Sequence, residues 1–497
     1  MGSLKRLLLL FVILSATNSF SKTQPHLLED FLKEFNQNPA KVFKQLPYKK
    51  ISSDNATVIS FTEKLIWRKE YLRQSTTDKM NVQFNDSVEG LFDAQIDLLL
   101  NAYKIDEQKL RSGKVKYTPW TGYYWSTKNG LIAYRYSDRK FKRIWNFKGK
   151  LKYIKKRPSS YYVKKGRINL LSPAEKYELL IGDENHSFSK YIWQKGLDEI
   201  EKYGHVRDWV GLCHGLALAP AALPRPKHSI RIKSFDGKHI IKFYPEDIKA
   251  LGIYMWGGDY IPSRKVGGRC EKHSPKTDSI GRIIDSDCLD TNPATFHLAV
   301  INRIGVQKKA LIIDSSYDKS VWNFPVINYK FTYYNPNTSK KMTKISEAMI
   351  PIDSFSNDKF KKHRSPEARY IVGVQANIQY LNFIEPKAKD KEPTASNPLI
   401  NNSYRYDLEL NANGDIIGGE WYSRFHPDFL WLPYDDIDPQ APYDVMMRGT
   451  WDAKNTLLPA KWAENAVLSA QNGDVSSPIV KALFELSHKG AEGILPR

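Results

Sequence analysis

The stretch at residues 208–226, DWVGLCHGLALAPAALPRP, decides how this chain is read, because it holds one of only three cysteines in 497 residues. Gly211 lets the backbone approach Cys213 closely. The Ala/Leu run beyond it suits a short buried helix, until Pro220, Pro224 and Pro226 disrupt it. A cysteine at the start of such a helix has its thiolate favoured by unpaired amides and by the helix dipole. Three readings of Cys213 are open at this point: inert core residue, half of a disulfide, or nucleophile.

The N-terminus narrows them. MGSLKR is a short basic segment, and LLLLFVIL at 7–14 is apolar but too short to span a bilayer. Small residues follow, in SATNSFS. Residues 1–21 therefore read as a secretory signal peptide, with the mature chain beginning near Lys22, exported and without a membrane span. Outside the cytosol cysteines tend to pair, and an odd thiol needs a reason. Cys270 and Cys288 lie in loop-like stretches 18 residues apart, and pairing them would leave Cys213 free. Pairings of Cys213 with either remain open without geometry.

A hydrophobic content of 41% and an aromatic content of 12% suit packed cores, and the length suits two or three domains. The formal net charge of +21 favours anionic partners. Residues 138–167 carry thirteen Lys/Arg and one Asp, interleaved with aromatics. We read this segment as the solvated face of a β-region, with Trp145, Phe147 and Tyr153 turned inward at strand spacing. No nucleic-acid motif accompanies it, so nucleic acid is not expected. An anionic cell-wall or envelope polymer fits an exported protein better.

A nucleophilic cysteine needs a base, and a base needs an orienting group. His214 is adjacent but badly aimed, since neighbours on a helix point about 100° apart. His297 lies in DTNPATFHLAVINRIG, where FHLAVI reads as a strand, and KALIID reads as a second strand ending at Asp314. Side by side, these strands would let Asp314 fix the imidazole of His297 for the thiol. Asp259 and Asp318 are the reserve carboxylates. The Cys213 amide and the indole N–H of Trp209 or Trp256 are candidate oxyanion donors. HPD at 426–428 and DD at 435–436 read as a scattered acidic loop.

The segments LSPAEKYELLIGD, DWVGLCHGLALAPAALPRP, FYPEDIKALG, DTNPATFHLAVIN and DLELNANGDIIGGEWYSRFHPDFLW together resemble the transglutaminase elicitor family, over about residues 115–440. That family groups secreted oomycete transglutaminases with bacterial homologues. The resemblance implies Cys213 as nucleophile, His297 as base and Asp314 as orienting carboxylate. The family pattern has Trp where this chain has Leu216, and Gly where it has Ala294. It also allows calcium dependence, although the chemistry itself requires no cofactor.

The expected architecture is α+β. A signal peptide at 1–21 precedes a helical N-terminal region at 22–115, a possible prosegment or lid. A transglutaminase-like (papain-like) catalytic core follows at 116–350, and a β-rich C-terminal region at 351–497 ends in helices. The expected activity is transfer of a protein glutamine's acyl group to lysine or another primary amine, through a Cys213 thioester. The expected partners are proteins bearing Gln and Lys. Glutamine deamidation and papain-like proteolysis use the same triad. A wall- or surface-binding protein with a basic face is the non-enzymatic reading.

Overall fold

Side-chain capping marks where five of the described α-helices of this chain begin. The computed structural model describes residues 86–489, apart from 94, 258–260, 262, 271, 273, 286–287, 289, 317–318, 393–396, 424, 435–437 and 442. The signal peptide and most of the 22–115 region lie outside the described residues, as do Asp259, Asp318, Asp435 and Asp436.

Helix α1 (Ala102–Glu107) starts on Asn101, whose side chain accepts the amides of Tyr103 and Lys104, and strand β1 (Ser112–Lys114) follows. The basic segment corrects the expected β-region: it forms three short helices, α2 (Arg139–Lys142), α3 (Phe147–Lys156) and α4 (Ser159–Lys164). Asp138 and Asn146 cap the first two. Such caps satisfy amide donors that a helix start leaves open. Phe147 is buried and Tyr153 half-buried, whereas Trp145 is 77% exposed rather than turned inward.

Helix α5 (Pro173–Ile181) opens on a capping box of Ser172 and Glu175. Helix α6 (Ser187–Tyr203) ends at Gly204, whose φ of 76° is the left-handed conformation of a helix stop. Helix α7 (Cys213–Ala222) is the expected one, and it continues through Pro220. A hairpin of β2 (Ile230–Lys233) and β3 (Ile240–Phe243) leads into α8 (Pro245–Gly257).

The rest of the chain builds one large sheet. Its elements are β4 (Ser263–Gly267), α9 (Pro293–Val300) with a π-helical continuation (Ile301–Val306), β5 (Leu311–Asp314), β6 (Asn323–Tyr334), β7 (Lys341–Met342), α10 (Ile345–Ala348), β8 (Ile350–Pro351), β9 (Tyr370–Leu381), β10 (Leu399–Leu410), β11 (Ile416–Gly418) and β12 (Phe429–Pro433). Helices α11 (Ala460–Gln471) and α12 (Ser477–Lys489) close the described chain. The spatial order β11-β10-β9-β6-β5-β12-β4 is antiparallel throughout. The strands after residue 350 thus extend the sheet that carries Asp314. The Asn413-Gly414 turn, with Gly414 at φ 83°, joins β10 to β11.

Alternation along the strands splits the apolar residues into two cores. Ile313, Phe331, Tyr333, Ile378 and Tyr406 belong to one, beneath α9. Ile312, Phe429 and Trp431 belong to the other, beneath α5, α7, α8, α11 and α12. Each strand residue faces one core or the other, so the face it occupies decides what it can touch.

Candidate active site around Cys213

The amide of Leu212 donates to the Tyr124 carbonyl at 2.6 Å, and that of Thr127 to the Val210 carbonyl at 2.9 Å. These bonds hold the turn that delivers Cys213 to the first position of α7. The helix is buried along nearly its whole length, from Gly215 to Pro220. It crosses α8 at glycine: a Cβ on Gly215 would sit 2.2 Å from the Ile253 carbonyl oxygen and 2.9 Å from Gly257. His214 confirms its poor aim. Its Nε2 lies 2.8 Å from the Gly257 carbonyl oxygen, at the α8 end.

Cys213 is the free cysteine, since Cys270 and Cys288 are joined in a disulfide. Its thiol is 4% exposed. The thiol donates to the Val321 carbonyl at 3.7 Å, and the sulfur accepts the Asn323 Nδ2 amide at 3.4 Å. Burial pushes the thiol up, Asn323 pulls it back, and the nearby charge of Asp314 raises it again. In this arrangement the sulfur holds its proton.

Asn323 opens β6 opposite Asp314, the last residue of β5, so both side chains point to the α7 side of the sheet. Asn323 Oδ1 accepts the Trp431 indole at 2.7 Å. The Oδ1 of Asp314 accepts the Ser316 amide at 3.2 Å, the Ser316 hydroxyl at 2.7 Å and the Trp322 amide at 2.8 Å. Its Oδ2 is buried with no partner among the described residues. Burial raises the carboxyl to about 6, against the pull of those amides, the hydroxyl and the Lys265 charge. Lys265 lies opposite Trp431 on β4, with Nζ 4.4 Å from the Phe429 ring centre. Burial lowers its ammonium to about 8, while Asp314 pulls it upward.

His297 sits elsewhere, and the expected strand is a helix. Asn292 caps α9 by accepting the Ala294 amide, and Pro293 takes the first turn. Proline is pre-shaped for that position and lacks the amide that would go unpaired there. The His297 ring stacks on Phe331 at 4.2 Å. Its Nδ1 lies 2.8 Å from the Tyr406 hydroxyl and its Nε2 3.4 Å from that of Tyr333. Burial lowers it to about 3, so the ring is neutral. Phe331 is eight residues along β6 from Asn323, roughly 25 Å of strand, and a register shift between Val326 and Asn328 turns it to the other core. The structure therefore brings Asp314 to Cys213 and leaves His297 on the opposite side of the sheet.

The other candidates divide similarly. Trp209 is half-buried between the guanidinium groups of Arg207 at 4.8 Å and Arg269 at 5.6 Å. Trp256 is buried near the end of α8, its indole N–H without a partner among the described residues. Neither makes a hydrogen bond to Cys213. Asn323, Lys265 and Trp431 were missed, since residues brought together by cross-strand register carry no spacing signal along the chain. Tyr124, Trp322 and Phe383 form a half-buried aromatic rim, with ring centres 5.2 to 5.8 Å apart.

His426 Nε2 lies 2.6 Å from Asp290 Oδ2, and Asp428 accepts the Cys270 amide. Among the described residues no group of three His, Cys, Asp or Glu is placed to hold a metal ion. No described helix is long and apolar enough to cross a membrane.

The model of the transglutaminase elicitor family matches residues 194–448. A solved structure similar to this chain is the GP42 transglutaminase from Phytophthora sojae. It is 20% identical, with a TM-score of 0.47, and the match covers 80% of this chain and 94% of that one. No curated protein matches the chain in sequence.

Proposed function

The chain belongs to the transglutaminase elicitor family, and on that premise we propose that it is an exported protein-glutamine γ-glutamyltransferase with Cys213 as its nucleophile. The observation that carries this reading is the thiol at the start of α7, hydrogen-bonded by Asn323, with a partner-free carboxylate oxygen of Asp314 on the same face. The Cys270–Cys288 disulfide supports export to an oxidising compartment.

The Cys213 sulfur attacks the side-chain carboxamide of a substrate glutamine while the thiol proton, which makes no direct hydrogen bond to Asp314, passes by way of a water to Asp314 Oδ2. A carboxyl raised to about 6 exchanges protons readily near neutral pH. The Cys213 amide is an unpaired donor at a helix start, and together with Asn323 Nδ2 it stabilises the oxyanion. The C–N bond then breaks, ammonia leaves with the proton from Asp314, and a thioester remains. An amine attacks the thioester, the C–S bond breaks, and the proton released by the amine returns to the sulfur. Water in place of the amine gives deamidation. Lys265 keeps positive charge beside the carboxylate when Asp314 is ionised. His297 is a neutral core residue in this scheme, which departs from the triad that the resemblance implies.

The test is incorporation of a fluorescent primary amine into a glutamine-rich protein by the mature chain and by Cys213→Ala, with ammonia and peptide cleavage followed in parallel. Incorporation abolished by Cys213→Ala is expected. Cys213-dependent ammonia without incorporation means a deamidase, and Cys213-dependent cleavage means a protease. Activity unchanged in the variant would remove Cys213 from the chemistry.

A further inference from the structure

The basic segment has no place in the acyl transfer proposed above. Residues 138–167 carry thirteen basic residues against one acid, a local charge of +12 within a total of +21. Folding does not neutralise it. Eleven of the thirteen are exposed, among them Lys140, Lys142, Lys148, Lys152, Lys155 and Lys156. None of the eleven has an ion pair among the described residues, although exposed lysines elsewhere do, such as Lys238 with Asp236 and Lys461 with Glu464. The one acid, Asp138, is turned inward. It caps α2 and accepts the hydroxyls of Tyr153 and Tyr162.

The platform is firmly seated. Phe147 is buried, and Leu151 and Ile154 pack against the helical core. Gly196 of α6 gives Phe147 its room, since a Cβ there would lie 2.2 Å from the Phe147 ring. With its apolar side used, α3 presents Lys148, Lys152, Lys155 and Lys156 along the other side. Lys148, Lys152 and Lys156 recur every four residues, about 6 Å of rise and little more than one turn, with Lys155 beside them. Trp145, 77% exposed, stands immediately before the helix.

We infer that the α2–α4 face is a docking surface for a linear, carboxylate-bearing polysaccharide. A fixed row of lysine ammonium groups matches anionic charge repeating along an extended chain. The free indole offers a flat apolar face for a sugar ring. A bilayer fits less well, because α3 has spent its apolar stripe on the core and has little left to insert. Nucleic acid fits less well too, because stacking sites for successive bases would need aromatics along the groove. Here the exposed aromatics are Trp145 before α3 and Tyr161 on α4, not a row along the face.

The test uses the mature chain with alginate as the polyuronate, in co-sedimentation and affinity electrophoresis at 50 to 300 mM salt. Neutral dextran, anionic vesicles and a single-stranded oligonucleotide are the comparison probes. Binding to alginate that weakens steeply with salt is expected. Lys148→Glu/Lys152→Glu/Lys155→Glu should weaken it at least tenfold with an unchanged melting temperature. Trp145→Ala should weaken it severalfold with the same salt slope. A triple variant that binds alginate as wild type would overturn the proposal. So would binding to dextran as tight as to alginate, or tighter binding to vesicles or the oligonucleotide. Amine incorporation into a soluble substrate should be the same in wild type and triple variant, so this test and that of the active site fail separately.

Discussion

Trp431 donates its indole N–H to Oδ1 of Asn323 at 2.7 Å, and this bond turns the amide's NH₂ toward the sulfur of Cys213. An asparagine free to flip would present its oxygen to the thiol half the time. Trp431→Phe keeps the ring and removes the donor. It should lower kcat for amine incorporation about tenfold, equivalent to about 1.4 kcal/mol, with little change in KM. A KM rise with kcat intact would show that the pair serves substrate binding instead.

His297→Gln separates the two histidine readings. Both ring nitrogens lie beside tyrosine hydroxyls in the sheet-side core. Losing such buried partners costs about 1–3 kcal/mol. The variant should melt earlier yet retain Cys213-dependent amine incorporation when assayed well below its melting temperature. Activity that disappears while the protein is folded would return His297 to the role of base.

Asp314 should leave a signature in stability against pH. Its folded carboxyl is raised to about 6 from the ordinary 3.8. The native state therefore holds the proton more tightly than the unfolded chain. The sign follows: this group's contribution is most favourable below about pH 4, falls as pH rises to about 6, and is lowest above that. Two pH units of difference correspond to roughly 3 kcal/mol. Asp314→Asn removes the buried charge and keeps an acceptor for Ser316 and Trp322. Urea unfolding should show it at least as stable as wild type at pH 7, and enzymatically inactive. A variant clearly less stable than wild type at pH 7 would mean that the ionised carboxylate holds the loop together.

The disulfide spans a loop of 18 residues between β4 and α9. Chain entropy assigns such a closure about 3 kcal/mol. Cys270→Ala/Cys288→Ala should lower stability by about that amount in a denaturant titration. Cys213 should then be the remaining thiol, detectable by alkylation in denaturant. A double variant as stable as wild type would mean that the surrounding hydrogen bonds already close the loop.

The sequence made Cys213 and its helix legible because their signals are local: Gly211, the cysteine and a short apolar run before prolines. The capping box at Ser172, the stop at Gly204, strand β5 and the Asn413-Gly414 turn were readable for the same reason. Helix α9 was also locally marked, by Asn292 and Pro293, but the apolar run FHLAVI outweighed the cap, and short apolar runs fit strand and helix alike. The basic segment misled in a similar way. Its alternating aromatics suggested a strand, while Asp138 and Asn146 marked helix starts. Asn323, Lys265 and Trp431 come together through cross-strand register, which no linear spacing in the chain reveals.

The Gly215–Gly257 crossing has a consequence for how this chain can vary. Two backbones meet there with no side chain between them, so the height of Cys213 above the sheet is set by main-chain contact. The surrounding Leu, Ala and Ile residues can drift in shape over generations without moving the sulfur. A single methyl group at Gly215, by contrast, would have to push the two helices apart and carry Cys213 away from Asn323. Tolerance around the site and intolerance at one glycine are then two sides of the same geometry.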